Sequence, residues 1–260
     1  VLGDPTYPYW GSYQASDGGS EANHIDEIAG LQVVAYPTDA ADYLKTLFFA
    51  GDFGDEQNEL FQLDLLYDDG AWATPVAPLL LDINGTAGAV DLDPHALTVA
   101  EVAGAGGPVD RLFFFGSDAA GQLAIFSYLT GSDGSAVDVD SIALGAGFVG
   151  QQMVAYTNGV AFTAHDAAND QTFMGSYIDS DADGAFELYG YTYSGQVEQL
   201  AADPGTGRSA YVIDDGITDT LYRSGYFGTI DLVAQFTGEI TDVTFGADLL
   251  TWIATADGGA

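Results

Sequence analysis

The chain contains no cysteine, which excludes disulfides and thiolate metal centres. Basic residues are almost as scarce. Lys45, Arg111, Arg208 and Arg223 face 39 acidic residues, giving a net charge of -35 over 260 residues. A field of that sign repels phosphate backbones and anionic lipid, so nucleic acid is not an expected partner. Anionic substrates, usually held by Lys or Arg, are disfavoured for the same reason. No apolar run approaches the roughly 18 to 20 residues of a helical membrane span, so membrane insertion is not expected. Long runs of helix formers are missing, as are the Gly-x-Ser-x-Gly elbow, the phosphate loop and the dinucleotide fingerprint.

Aromatics make up 13% of the chain and Gly accounts for 34 residues, a pairing that suits many short strands joined by tight turns. One hairpin text recurs. It runs from Leu47-Phe-Phe-Ala to Tyr67-Asp-Asp-Gly70, from Leu112-Phe-Phe-Phe to Gly131-Ser-Asp-Gly134, from Val160-Ala-Phe-Thr to Asp181-Ala-Asp-Gly184, and from Ala210-Tyr-Val-Ile to Gly228. A fifth copy is split, with Leu250-Thr-Trp-Ile-Ala at one end of the chain and Tyr9 to Gly18 at the other. Five copies in 260 residues average about 52 per unit, near the roughly 40 to 50 of four-stranded propeller blades.

These spacings predict an all-β, five-bladed β-propeller of four-stranded blades. The blades span about 31–88, 89–147, 148–195 and 196–238, and a closing blade combines 239–260 with 1–30. In the closing blade His24–Ile28 is expected as an outer strand, whereas Leu31–Tyr36 opens the next blade. Shared closure removes the open sheet edges that template aggregation. A linear solenoid has no need of a split copy, and two sandwiches would call for a linker that is not visible.

The strings Leu47-Phe-Phe-Ala-Gly-Asp with Glu59-Leu-Phe-Gln-Leu-Asp64, and Leu112-Phe-Phe-Phe-Gly-Ser-Asp118, resemble the repeats of bacterial propellers that carry Glu-Leu-Trp before Asp-Gly-Thr. TolB-like propellers are similar in layout. The resemblance implies fold rather than activity.

One segment has definable chemistry. Asp179-Ser-Asp-Ala-Asp-Gly-Ala-Phe-Glu187 places acids at positions one, three, five and nine around Gly184. Calcium takes six to eight oxygens at flexible geometry, which alternating carboxylates on a tight loop can supply. An EF-hand would need Glu at position twelve, and that position is Gly190. The spacing is similar to the β-hairpin calcium loops of integrin α-subunit propellers. That likeness implies Asp179, Asp181, Asp183 and Glu187 as side-chain ligands of Ca2+, with Ala185 giving its carbonyl. The plainer alternative is an acidic solvated turn. Asp17-Gly18, Asp69-Gly70, Asp133-Gly134 and Asn84-Gly85 read as ordinary turns.

Catalysis has less support. Glycoside hydrolysis needs two carboxyl groups at a set separation, and the inner-strand candidates are Asp91, Asp93, Glu198 and Asp242. His24, His95 and His165 fall in different blades, so they are not expected to converge. Trp10, Phe61, Phe126, Phe173 and Tyr222 recur once per blade, which marks them as core rather than as sugar platforms. The chain begins at Val1 without an initiating Met, as a processed exported protein would. The functional expectation is an extracellular or cell-surface, non-catalytic structural or interaction module stabilised by calcium or salt, such as a subunit of a surface layer or filament. Its partners would be copies of itself, other surface proteins or glycans. The alternative is a carbohydrate-binding or glycoside-hydrolysing propeller.

Overall fold

The computed structural model describes residues 23–35, 43–53, 56–68, 71–72, 79–81, 95–104, 106–118, 120–129, 139–203, 205–214, 218–224, 230–245 and 251–255. Nineteen strands and no helix occur among them. The first sheet holds β1 (Asn23–Ala35), β2 (Tyr43–Phe53), β3 (Glu56–Asp68) and β4 (Ala71–Trp72) in that order, with β5 (Leu79–Leu80) also paired to β3. The second runs through β6 (His95–Gly104), β7 (Gly107–Ser117), β8 (Leu123–Leu129) and β9 (Val139–Gly145). The third comprises β10 (Val149–Tyr156), β11 (Gly159–Asp166), β12 (Gln171–Ile178) and β13 (Glu187–Ser194). The fourth comprises β14 (Gln196–Asp203), β15 (Arg208–Asp214), β16 (Asp219–Ser224) and β17 (Ile230–Phe236). β18 (Ile240–Phe245) pairs with β19 (Thr251–Thr255). All pairings are antiparallel and, apart from β3 with β5, join neighbours in sequence, and the first strands touch in series, β1 on β6, β6 on β10, β10 on β14 and β14 on β18. The fold is all-β and β-propeller-like.

The second strand of each sheet explains the apolar runs. In β7, Leu112 and Phe114 point into a layer shared with Phe48, Leu60 and Leu81 of the first sheet. Phe113 and Phe115 point the opposite way, into a layer shared with Met153, Val160 and Phe162 of the third. Side chains alternate along a strand, so a strand buried on both faces reads as one continuous apolar string. The layer between the third and fourth sheets repeats this with Ala161, Met174, Val197 and Tyr211. Ala210, Val212, Ile240 and Val243 form the next.

Of the recurrent aromatics, Phe61 and Phe126 are buried in the core, and Phe173 and Tyr222 are partly buried and pack against it. Phe61 stacks on Phe49 at 5.1 Å, Phe126 on Phe114 at 5.5 Å and Phe173 on Phe162 at 5.6 Å between ring centroids. Tyr222 lies opposite Tyr211 in the ladder. Phe173 depends on glycine, since a Cβ at Gly175 or at Gly190 would come within 2.5 Å of its ring.

One boundary differs from expectation. His24–Ile28 is not a separate outer strand of a closing blade, because it begins β1 and pairs with β2 in the first sheet. Residues 23–30 therefore continue into residues 31–35 as one strand of the first sheet. The cause is a register shift between Ala29 and Leu31, a bulge that carries the strand through Gly30 where the sequence reads as a turn. Trp10, Tyr9 to Gly18, Asn84, Asp91, Asp93 and the turns at Gly70 and Gly134 lie outside the described residues, and so does the proposed terminal closure.

Candidate functional site

Ile178, the last residue of β12, pairs with Glu187, the first of β13, so residues 179–186 form the hairpin loop between them. The loop is wound around Asp179, which is only 1% exposed. Its Oδ1 accepts the Asp183 N–H at 3.1 Å and its Oδ2 the Gly184 N–H at 3.0 Å. Its own N–H donates to the Asn158 carbonyl at 2.9 Å, which ties the loop to the β10–β11 turn. Ala182 and Gly184 take φ values of 60° and 91°, the left-handed bends that let the loop close on itself. Phe186 fastens the far side, with its ring 5.4 Å from Phe113 and 5.1 Å from Tyr177.

The fold brings three of the expected ligands together. Carboxylate oxygens of Asp179, Asp181 and Asp183 lie within 4.8 Å of one another. Two oxygens bound to one calcium at up to about 2.6 Å can be at most about 5.2 Å apart, so this spacing fits a single cation. Hydrogen bonds within the loop place both Asp179 and Asp183. Glu187 is not in that group of three, and its Oε2 accepts the Ser180 N–H at 3.1 Å. Ala185 uses its N–H on Asp183 Oδ1 at 2.8 Å, and this bond leaves its carbonyl uncommitted. These residues could hold Ca2+ through three carboxylates and that carbonyl, with water completing the shell.

A second group of carboxylates escaped the sequence. Glu198 of β14, Asp214 at the end of β15 and Asp219 at the start of β16 have oxygens within 4.8 Å of one another. Asp219 is buried and its Oδ2 accepts the Ile240 N–H, fastening β18 to the fourth sheet. Burial pushes the Glu198 carboxyl above its ordinary value, and the charges of Asp214, Asp219 and Glu239 add to the effect. Glu198 was expected among the inner-strand acids, but its neighbours are these two rather than Asp242, which is exposed on β18. His24, His95 and His165 sit in three different sheets. His95 lies against the Phe115 ring and His165 Nδ1 is 3.0 Å from Thr172 Oγ1.

Outer strands carry exposed apolar groups. Tyr191 on β13 is 48% exposed, and on β17 Leu232 and Val233 are 57% and 48% exposed. Tyr193 of β13 lies 6.1 Å from Tyr222 of β16, which pairs with Leu232 in the ladder.

No family model and no curated protein matches the sequence. Among solved structures, the chain is similar to a complex of KlAtg21 with the coiled-coil of AgAtg16, with a TM-score of 0.42 and 10% identity over 86% of this chain and 78% of that one. It is also similar to a mutant Aleuria aurantia lectin in complex with alpha-methyl-L-fucoside, at a TM-score of 0.40 and 12% identity over 90% and 92%. A streptogramin B lyase gives a TM-score of 0.34 and 10% identity over 86% and 90%. Values this low leave the side chains themselves as the ground for any function.

Proposed function

We propose that the chain is a five-bladed β-propeller, closed by pairing of its terminal segments, that serves as an exported, non-catalytic interaction module at the cell surface. The supporting observation is the outer rim, where Tyr191, Leu232 and Val233 stay exposed on the last strands of adjacent sheets. Large apolar groups gathered on one rim suit contact with another protein surface, here a second copy or another surface protein, as in a surface layer or filament. Two bodies of charge -35 repel, so the contact forms only where cations screen or bridge them. Calcium held by Asp179, Asp181 and Asp183, with the carbonyl of Ala185 and with Glu187 closing the loop, stiffens one connection of the third sheet and lowers the charge beside that rim.

Sedimentation velocity and electron microscopy of the full chain, in calcium and after chelation by EDTA, test the reading. Particles larger than monomers are expected in calcium, dispersing with EDTA, and Leu232→Glu is expected to prevent them while leaving the fold intact. Monomers under every condition would overturn it, as would assemblies indifferent to both the chelator and Leu232→Glu.

A further inference from the structure

The first strands share a device used by neither the acidic loop nor the rim. Each meets its second strand through a register shift near its start, between Ile25 and Glu27 in β1, His95 and Thr98 in β6, and Gly150 and Gln152 in β10. The same shift falls between Val197 and Gln199 in β14 and between Ile240 and Asp242 in β18. A bulge leaves one residue unopposed and re-aims its side chain. In β10, β14 and β18 the unopposed residues are Gln151, Glu198 and Thr241, and all three line one cavity of about 600 Å3. That volume falls within the roughly 300 to 1,000 Å3 of small-molecule sites.

We propose that this cavity binds a neutral, polyhydroxylated ligand, the chemistry of a sugar. Its lining departs from the rest of the chain. Acids outnumber every other polar side chain in the sequence, yet Gln151, Gln152, Gln196 and Gln199, four of the chain's 11 glutamines, meet here beside only two acids, Glu198 and Glu239. A primary amide offers donors and an acceptor together, as a ring of hydroxyls does, so the two match group for group. Gln196 is exposed and Gln199 half-buried, so both amides are accessible from the cavity they line. Ligand hydroxyls donate to and accept from these amides, and Glu198 and Glu239 accept from others. Gln152 is spoken for, since its Nε2 donates to the Glu198 carbonyl at 2.6 Å and holds β10 against β14. No Lys or Arg lines the cavity, which leaves an anionic ligand without a counter-charge. An ammonium group would be served by converging carboxylates, but amides outnumber acids in the lining and Asp219 is committed to Ile240.

A glycan array of neutral mono- and oligosaccharides, followed by calorimetric titration of the strongest hit into the full chain, tests this. Binding is expected, and Gln196→Ala and Gln199→Ala are each expected to weaken it at least tenfold, about 1.4 kcal/mol, without lowering the thermal midpoint. Gln196 is exposed, so Gln196→Ala isolates the ligand contact, and Gln199→Ala serves as the second reading. Failure to bind any neutral glycan would overturn the proposal, as would a hit whose affinity neither substitution changes. Retention of amino sugars alone, without their neutral counterparts, would assign the cavity to cations instead. None of these outcomes depends on assembly at the rim.

Discussion

Two carboxylates differ in what their oxygens meet. Asp179 receives two backbone N–H groups. Glu198 faces Asp214, Asp219 and Glu239, and its carboxyl titrates above the ordinary 4.5. A carboxyl whose pKa is raised on folding holds its proton more tightly in the native state. Stability is therefore greatest below the unfolded value and falls as pH rises through the folded one. Glu198→Gln removes that penalty, so the variant is expected to melt above the wild type at pH 7 to 8 in thermal scans, with the gap closing toward about pH 4. A variant that melts lower at neutral pH would show that the charge stabilises the fold. The first of these groups was legible in the sequence because Asp179, Asp181 and Asp183 are local, and a loop alone decides their meeting. Glu198, Asp214 and Asp219 are joined by bulge and ladder register, which no spacing displays.

At the scale of the strand, the hairpins were the most readable part. Leu112 to Phe115 announces a strand buried on both faces, and Asp118 with Gly121 announces the turn after it, where Asp118 Oδ1 accepts the Ala120 and Gln122 N–H groups at 2.8 Å. β1 was misread because Ala29-Gly30 has the look of a break, while pairing with β2 holds the strand through it. Glycines were legible as turn markers but not as spacers. A Cβ on Gly150 would stand 2.4 Å from the Phe115 ring, at the contact between the second and third sheets. Gly150→Ala is accordingly expected to cost about 1 to 3 kcal/mol, the range for overpacked cores, measured as a lower denaturant midpoint at unchanged slope. An unchanged midpoint would mean that the two sheets separate freely.

For the molecule as a whole, one number governs behaviour in solution. With a net charge of -35, like-charge repulsion opposes compaction, and raising NaCl from about 0.1 M to about 1 M shortens the screening length from roughly 10 Å to 3 Å. The thermal midpoint is expected to climb by several degrees over that range, and a midpoint that stays flat or falls would show that repulsion is not what limits stability. The described core is organised in layers, each built by two successive sheets. Phe48 and Phe114 complete one, and Phe115 and Phe162 complete the next. In evolutionary terms the unit of text and the unit of stability are half a repeat out of step. Duplicating or losing one sheet leaves two foreign surfaces face to face, so the copy number of this chain can change only when both neighbouring contours change with it.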